Sequence, residues 1–184
     1  MNRKTKQVLV LAGATAAVAG AIYAFKALKR PKYSGLKFKK SIIIDRPAAD
    51  LYAFWRHFGN LARIADILES VQVLDDIRSR WTVAAPGEIP VQWDAKITRD
   101  VKDEMIGWCS VEGSTIETAG YVKFEPASGK RGTLVRVALE YNLPAGKIGA
   151  AVASLFGKRP SAHVEDLLRR FKQIMETGEF AQAG

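Results

Sequence analysis

Cysteine is nearly absent. Cys109 stands alone in 184 residues, which excludes an intramolecular disulfide and any zinc site built from several cysteines. Histidine is scarce too: only His57 and His163 occur, with no H-x-x-x-H spacing and no second ligand type clustered near either. Both therefore read as surface or helix-end histidines rather than metal ligands. No G-x-S-x-G, P-loop or G-x-G-x-x-G motif is present, which removes the usual signatures of a serine nucleophile, a nucleotide cradle and a dinucleotide fold. Acids are missing altogether from residues 1–40, which hold ten of the chain's 28 Lys and Arg. The rest of the chain carries 18 bases against 19 acids, so the formal charge of +9 belongs to the N-terminus and not to the body. A nucleic-acid-binding domain concentrates positive charge on its folded surface, often among stacking aromatics. Here the charge flanks an apolar segment, which points to a membrane surface and away from DNA or RNA.

That segment, Val8–Phe25, runs 18 residues without a charge, just enough to cross a hydrocarbon core of about 30 Å at about 1.5 Å per residue. Three bases precede it and seven follow within residues 26–40. The positive-inside rule then keeps the C-terminal side in the cytoplasm. The expectation is a single-pass membrane anchor bearing a cytoplasmic domain. A cleaved signal peptide using Ala19-Gly20-Ala21 is the competing reading, although its apolar core would be unusually long. Pro31–Gly35 reads as a linker because Pro and Gly punctuate it. The expected organisation is an anchor with basic flanks over 1–30, a linker over 31–35, a ligand-binding domain over 36–178 and a tail over 179–184.

The strongest helix signal is Ser161–Thr177. Val164, Leu167, Leu168, Phe171, Ile174 and Met175 recur there at the spacing of one buried face, with Ser161 as a cap and Gly178 as a stop. Upstream, Leu36–Asp45 reads as a first strand. A helix follows Pro47 on Ala48, Leu51, Tyr52, Trp55 and Phe58, and a second short one is expected over Leu61–Leu68. After Glu69 the period falls to two. Val91, Trp93, Ala95 and Ile97 share one face, while Gln92, Asp94, Lys96 and Thr98 share the other. Ile106 with Trp108, Val122 with Phe124, and Val135 with Val137, Leu139 and Tyr141 repeat the pattern. Turn residues at Pro86-Gly87, Asp103-Glu104, Gly113-Ser114 and Ser128-Gly129 separate these runs. A small helix over Gly146–Phe156 precedes the last one. About seven antiparallel strands with helices clustered after the first and at the end make an α+β domain rather than a sandwich.

This order of elements resembles the helix-grip fold of the START-like superfamily, also called SRPBCC or polyketide cyclase/dehydrase-like. Pro47–Trp55, Val91–Ala95, Gly120–Pro126 and Asp166–Lys172 are similar to a bacterial branch related to coenzyme Q-binding START-like proteins. The resemblance spans roughly residues 36–178. It implies a curved sheet wrapped on the long C-terminal helix, with a cavity between them for a hydrophobic molecule, an isoprenoid quinone among the candidates.

The residues themselves give the inward faces a heavy aromatic load, which suits either a packed core or the wall of an apolar pocket. The candidate ligand-binding set is Trp81, Trp93, Trp108, Phe124 and Val137 on strands with Leu168, Phe171 and Met175 on the helix. Val164 and Leu167 are expected to anchor the end of the sheet instead. Phe171→Ala distinguishes the two cases: about 3–5 kcal/mol of stability is lost if the space is packed, and ligand retention changes if it is open. No catalytic residue is assigned, and nothing calls for a metal or cofactor. Asp94 and Glu140 lie on the outer faces, where pairing with Lys96 or Arg136 is expected. Cys109 lies opposite Trp108 without an activating base. The function these readings support is membrane-anchored binding of a lipid or other hydrophobic small molecule. The rival is a cyclase/dehydrase-type enzyme, which needs an acid or base inside the cavity.

Overall fold

The computed structural model describes residues 36–85, 89–129, 131–142, 146, 149–150, 153–154 and 160–178. The expected anchor, the linker, the Pro86-Gly87 turn and the tail of residues 179–184 lie outside them. So does most of the expected helix over Gly146–Phe156, of which 149–150 and 153–154 are helical. No helix among the described residues is long and apolar enough to cross a membrane.

Strand β1 (Leu36–Ile44) leads into helix α1 (Ala48–Arg56) and a 3₁₀ helix (Phe58–Arg63). Six strands follow: β2 (Ser70–Val73), β3 (Arg78–Ala85), β4 (Ile89–Val101), β5 (Met105–Ser110), β6 (Glu117–Pro126) and β7 (Thr133–Asn142). Helix α2 (Pro160–Thr177) closes the chain's described part. The strands form one antiparallel sheet in the order β1-β7-β6-β5-β4-β3-β2. Strands β2 to β7 are therefore a meander, and β1 returns to pair with β7. A bulge between Ile97 and Arg99 interrupts the long β4, a device that bends a strand and tightens its twist.

The inner face buries Ile44, Trp81, Trp93, Ala95, Ile106, Trp108, Val122, Phe124, Val135 and Val137, the alternation that period two requires. Leu51 and Trp55 of α1, Phe58 and Leu61 of the 3₁₀ helix, and Val164, Leu168 and Phe171 of α2 meet that face in one cluster. Gly120 explains how a tryptophan fits on so crowded a surface. A Cβ there would stand 2.6 Å from Trp108 Cζ2 and 2.7 Å from Leu139 Cδ2, so only glycine lets the indole lie across β6.

Three local expectations change. The segment after α1 is a 3₁₀ helix ending at Arg63, not a helix over Leu61–Leu68. Asn60 Nδ2 donates to the Phe54 carbonyl at 3.0 Å and so satisfies one of the free carbonyls at the end of α1. Helix α2 starts at Pro160 rather than being capped by Ser161, in keeping with proline's fitness for a first helical position. Its end is as expected: Gly178 has φ 76° and donates to the Ile174 carbonyl at 2.8 Å. On the outer face, Asp94 accepts from Arg80 at 2.7 and 3.0 Å, not from Lys96 or Arg136. Glu140 faces Lys37 at 3.6 Å, and Arg136 donates to Glu125 at 2.6 Å. Register decides this, since Arg80 with Asp94 and Lys37 with Glu140 are direct cross-strand partners.

The C-terminal end of α2 is fastened to the turn after β1. Arg46 donates to the Met175 and Glu176 carbonyls at 2.6 and 3.2 Å. The Asp45 N–H donates to Glu176 Oε1, and Lys172 Nζ to the Ile43 carbonyl, both at 2.8 Å. Helix α1 is tied to β4 in a similar way: Tyr52 Oη donates to Asp100 Oδ1 at 2.5 Å and Arg56 Nε to Asp100 Oδ2 at 2.7 Å. Burial, and then the bond to Asp100, push the Tyr52 phenol up to about 12. A folded-state value above the unfolded value of about 10 means that the native state holds this proton more tightly. The stability it contributes is complete below pH ~10 and is lost as pH rises toward ~12. Tyr52→Phe is accordingly expected to flatten the fall of unfolding free energy across that window in denaturant titrations, leaving neutral-pH slopes unchanged.

Candidate functional site

An apolar cavity opens at the end of the domain where β1 starts and β7 ends. The sheet contributes Phe38, Trp81, Val83, Trp93, Trp108, Thr118, Val137, Leu139 and Tyr141 to its wall. Trp55 and Leu61 close it from the α1 side, the segment Ile64–Leu68 covers one flank, and His163, Val164, Asp166 and Leu167 of α2 form the other. Its free volume is about 70 Å³, several times the roughly 10–15 Å³ that one water occupies on the same measure.

The wall is built from stacked indoles. Trp81 lies 6.0 Å from Trp93 at 28° and 6.5 Å from Trp108 at 20°. Trp55 continues the series on Trp108 at 6.1 Å and 29°. Cross-strand register produces the first pair, since Trp81 and Trp93 are direct partners, and large aromatics at facing positions contact strongly. Phe58 braces two of these rings edge-on, 5.8 Å from Trp81 and 5.7 Å from Trp108. The indole N–H of Trp81 is satisfied by Ser79 Oγ at 2.9 Å. Those of Trp55 and Trp93 are buried and have no hydrogen-bond partner among the described residues.

Polar groups gather toward the mouth. Asp66 pairs with Arg170 and Asp166 with Arg169, so both cavity-lining carboxylates are engaged by arginines. Tyr141 lines the wall beside Phe38, with ring centroids 6.2 Å apart, and burial pushes its phenol well above the usual tyrosine range. Asp94 points outward, and Arg80 holds its carboxyl below the usual carboxylate range. Cys109 is half-buried on the outer face, where burial raises the thiol. Among the described residues no three His, Cys, Asp or Glu side chains are grouped to share a metal ion.

Of the eight residues proposed from sequence, Trp81, Trp93, Trp108 and Val137 line the cavity, and Phe124, Leu168, Phe171 and Met175 do not. Phe171 is fully buried against Trp55 and Phe54, and Phe124 takes the edge of Tyr52. The helix residues at the cavity are instead Val164 and Leu167, one to two turns earlier, with His163 and Asp166 beside them. The hydrophobic stripe of α2 packs on the core, and the cavity meets the helix in its N-terminal half. Trp55 was legible as part of an apolar helical face. Ile64–Leu68 is expected from sequence as part of a short helix, and its irregular course along the cavity follows only from tertiary structure.

A single antiparallel sheet with one long C-terminal helix across its inner face, enclosing an apolar cavity, defines a helix-grip domain of the START-like class. The chain belongs to the family described as polyketide cyclase / dehydrase and lipid transport, whose model matches residues 44–169. It is 40% identical to DR_A0006 from Deinococcus radiodurans, whose crystal structure matches with a TM-score of 0.67 over 78% of this chain and 99% of that one. A START superfamily protein from Mycobacterium smegmatis, 16% identical, matches with a TM-score of 0.57 over 75% of this chain and 98% of its own; this likeness is one of fold. An uncharacterized 17.2 kDa protein of Streptomyces lincolnensis, from the melC2-rnhH intergenic region, is 28% identical over 88 residues. That match spans 48% of this chain and 57% of the relative.

Proposed function

We propose that this domain binds a hydrophobic small molecule or lipid in the cavity between the sheet and α2, without transforming it. The observation that carries the reading is the wall of four tryptophans around an apolar cavity of about 70 Å³, a shape and lining suited to an apolar ligand. An isoprenoid quinone is one ligand offered by the sequence resemblance to coenzyme Q-binding proteins. Membrane anchoring through residues 8–25, with bases of the 26–40 stretch against anionic headgroups, completes the proposal and rests on sequence.

The test is native mass spectrometry of the purified chain, followed by extraction of whatever co-purifies. A retained apolar molecule is the expected result; a protein that carries none and takes up none counts against the reading. Leu167→Trp should fill the mouth from the half-buried face of α2. Retention is expected to fall at least tenfold, and the larger ring beside the core costs about 1–3 kcal/mol of unfolding free energy. A second reading, a cyclase/dehydrase-type enzyme, is favoured by His163 at the cavity, a side chain type suited to acid–base work beside an apolar site. It predicts turnover of a bound substrate that His163→Gln abolishes.

A further inference from the structure

We propose that the segment Ile64–Leu68 is a movable strap, which swings away from α2 to admit the ligand and is latched shut by the ion pair between Asp66 and Arg170. This rests on the reading of the cavity as a ligand site and adds how that site is entered. Three observations lead to it.

The first is size. The free volume of the cavity is about 70 Å³, about half of the roughly 150 Å³ in which an apolar protein cavity holds one benzene. A lipid, or any molecule of several rings, lodges there only if part of the wall gives way.

The second is how unequally the wall is held. Apart from Phe38 on β1, its strand residues lie on β3 to β7, each of which has a neighbouring strand on both sides. Helix α1 is tied to β4 through Asp100, and the C-terminal end of α2 to the turn after β1 through Arg46, Asp45 and Lys172. Ile64–Leu68 has no comparable backbone tie among the described residues. The N–H groups of Ile64 and Ala65 donate to the Leu61 carbonyl at 3.1 and 3.0 Å, and that of Leu68 to the Ala65 carbonyl at 2.9 Å. The chain rejoins the sheet at Glu69, whose N–H donates to the Thr82 carbonyl at 2.9 Å.

The third is the strap's own anchorage. Ile64 and Ala65 are buried and root one end, whereas Ile67 and Leu68 are only partly buried against the core. Between them Asp66, its side chain 62% exposed, reaches across to Arg170 of α2. Segments with few tertiary bonds and partial burial are the first to open. An exposed ion pair is weak and screened by salt, which suits a latch that must release and not a fixed strut.

The test follows exchange of N-phenyl-1-naphthylamine, a neutral apolar fluorophore, into the full chain in detergent micelles. All four tryptophans of the chain line the cavity, so energy transfer from them reports its occupancy. Asp66→Cys with Arg170→Cys is prepared on a Cys109→Ser background, so that a short bismaleimide joins only strap and helix. Bridging before the fluorophore is added should slow its uptake by about tenfold or more, and bridging after loading should slow its release as much. A bridge that merely damaged the site would not retain the loaded probe. Arg170→Gln removes the latch from outside the cavity wall. It should speed uptake and release alike by about two- to fivefold, the worth of one exposed ion pair, and leave Kd unchanged. Added salt should speed exchange in the unaltered chain and not in that variant. Bridged and unbridged chains that exchange the probe at the same rate, or Arg170→Gln no faster than the unaltered chain, overturn the inference and leave the binding site standing. If the unbridged chain shows no energy transfer to the probe, the binding site falls and the strap with it.

Discussion

Phe171→Ala is expected to lower the unfolding free energy by about 3–5 kcal/mol, the range for truncating a large buried ring. Phe171 is wholly buried, 5.8 Å from Trp55 at 89° and 5.1 Å from Phe54 at 42°. It is the knob by which the middle of α2 grips α1, and it does not line the cavity. Its loss therefore removes packing rather than ligand contact. Urea titration should show a lower midpoint with an unchanged slope, and the folded fraction should bind ligand with its original affinity. A stability loss below about 1 kcal/mol would mean that the site collapses freely around the gap, in conflict with this packing.

Gly132→Ala should cost about 2–5 kcal/mol, summing the left-handed strain of a non-glycine residue and the displacement of packed neighbours. Gly132 has φ 75°, and a Cβ there would overlap the Ile44 carbonyl oxygen and stand 2.9 Å from Asp45 Cα. These are backbone atoms, so no rotamer change relieves them. They also belong to the turn that carries Arg46, whose guanidinium holds the last carbonyls of α2, so the disturbance reaches the helix. Gly129→Ala supplies the control. Its φ is 101°, but its Cβ would meet nothing within 4 Å, leaving backbone strain alone, about 1–2 kcal/mol. Equal losses at the two positions would show that strain, not contact with Ile44, sets the cost.

Most of the fold was legible because it rests on periodicity. Val91, Trp93 and Ala95 alternate in sequence and are buried together, and the stripe of α2 marks its inner face. The resemblance to a START-like domain added a curved sheet wrapped on the last helix, while the pairing of β1 with β7 joins strands too distant in sequence for periodicity to connect. The site was legible only on the sheet. Trp81, Trp93 and Trp108 could be placed on one face by counting in twos. How far along α2 the cavity lies could not be counted, because it depends on where Arg46 and Asp45 fix the helix against the turn after β1. The same holds for Asp94, whose partner Arg80 is fixed by a strand register that no local pattern states.

The lysines of β1 acquire a second meaning from their place in the sheet. Lys37, Lys39 and Lys40 belong to the basic stretch that first pointed to a membrane, yet among the described residues they stand on an edge strand of the sheet. Lys37 lies against Glu140 and Lys40 is bound to Glu165 of α2. An uncovered edge invites pairing with another chain, and lysines along it discourage such stacking. The opposite edge, β2, is only four residues long, which limits it as a template. Part of the N-terminal positive charge thus stands where it discourages another chain from pairing with this edge.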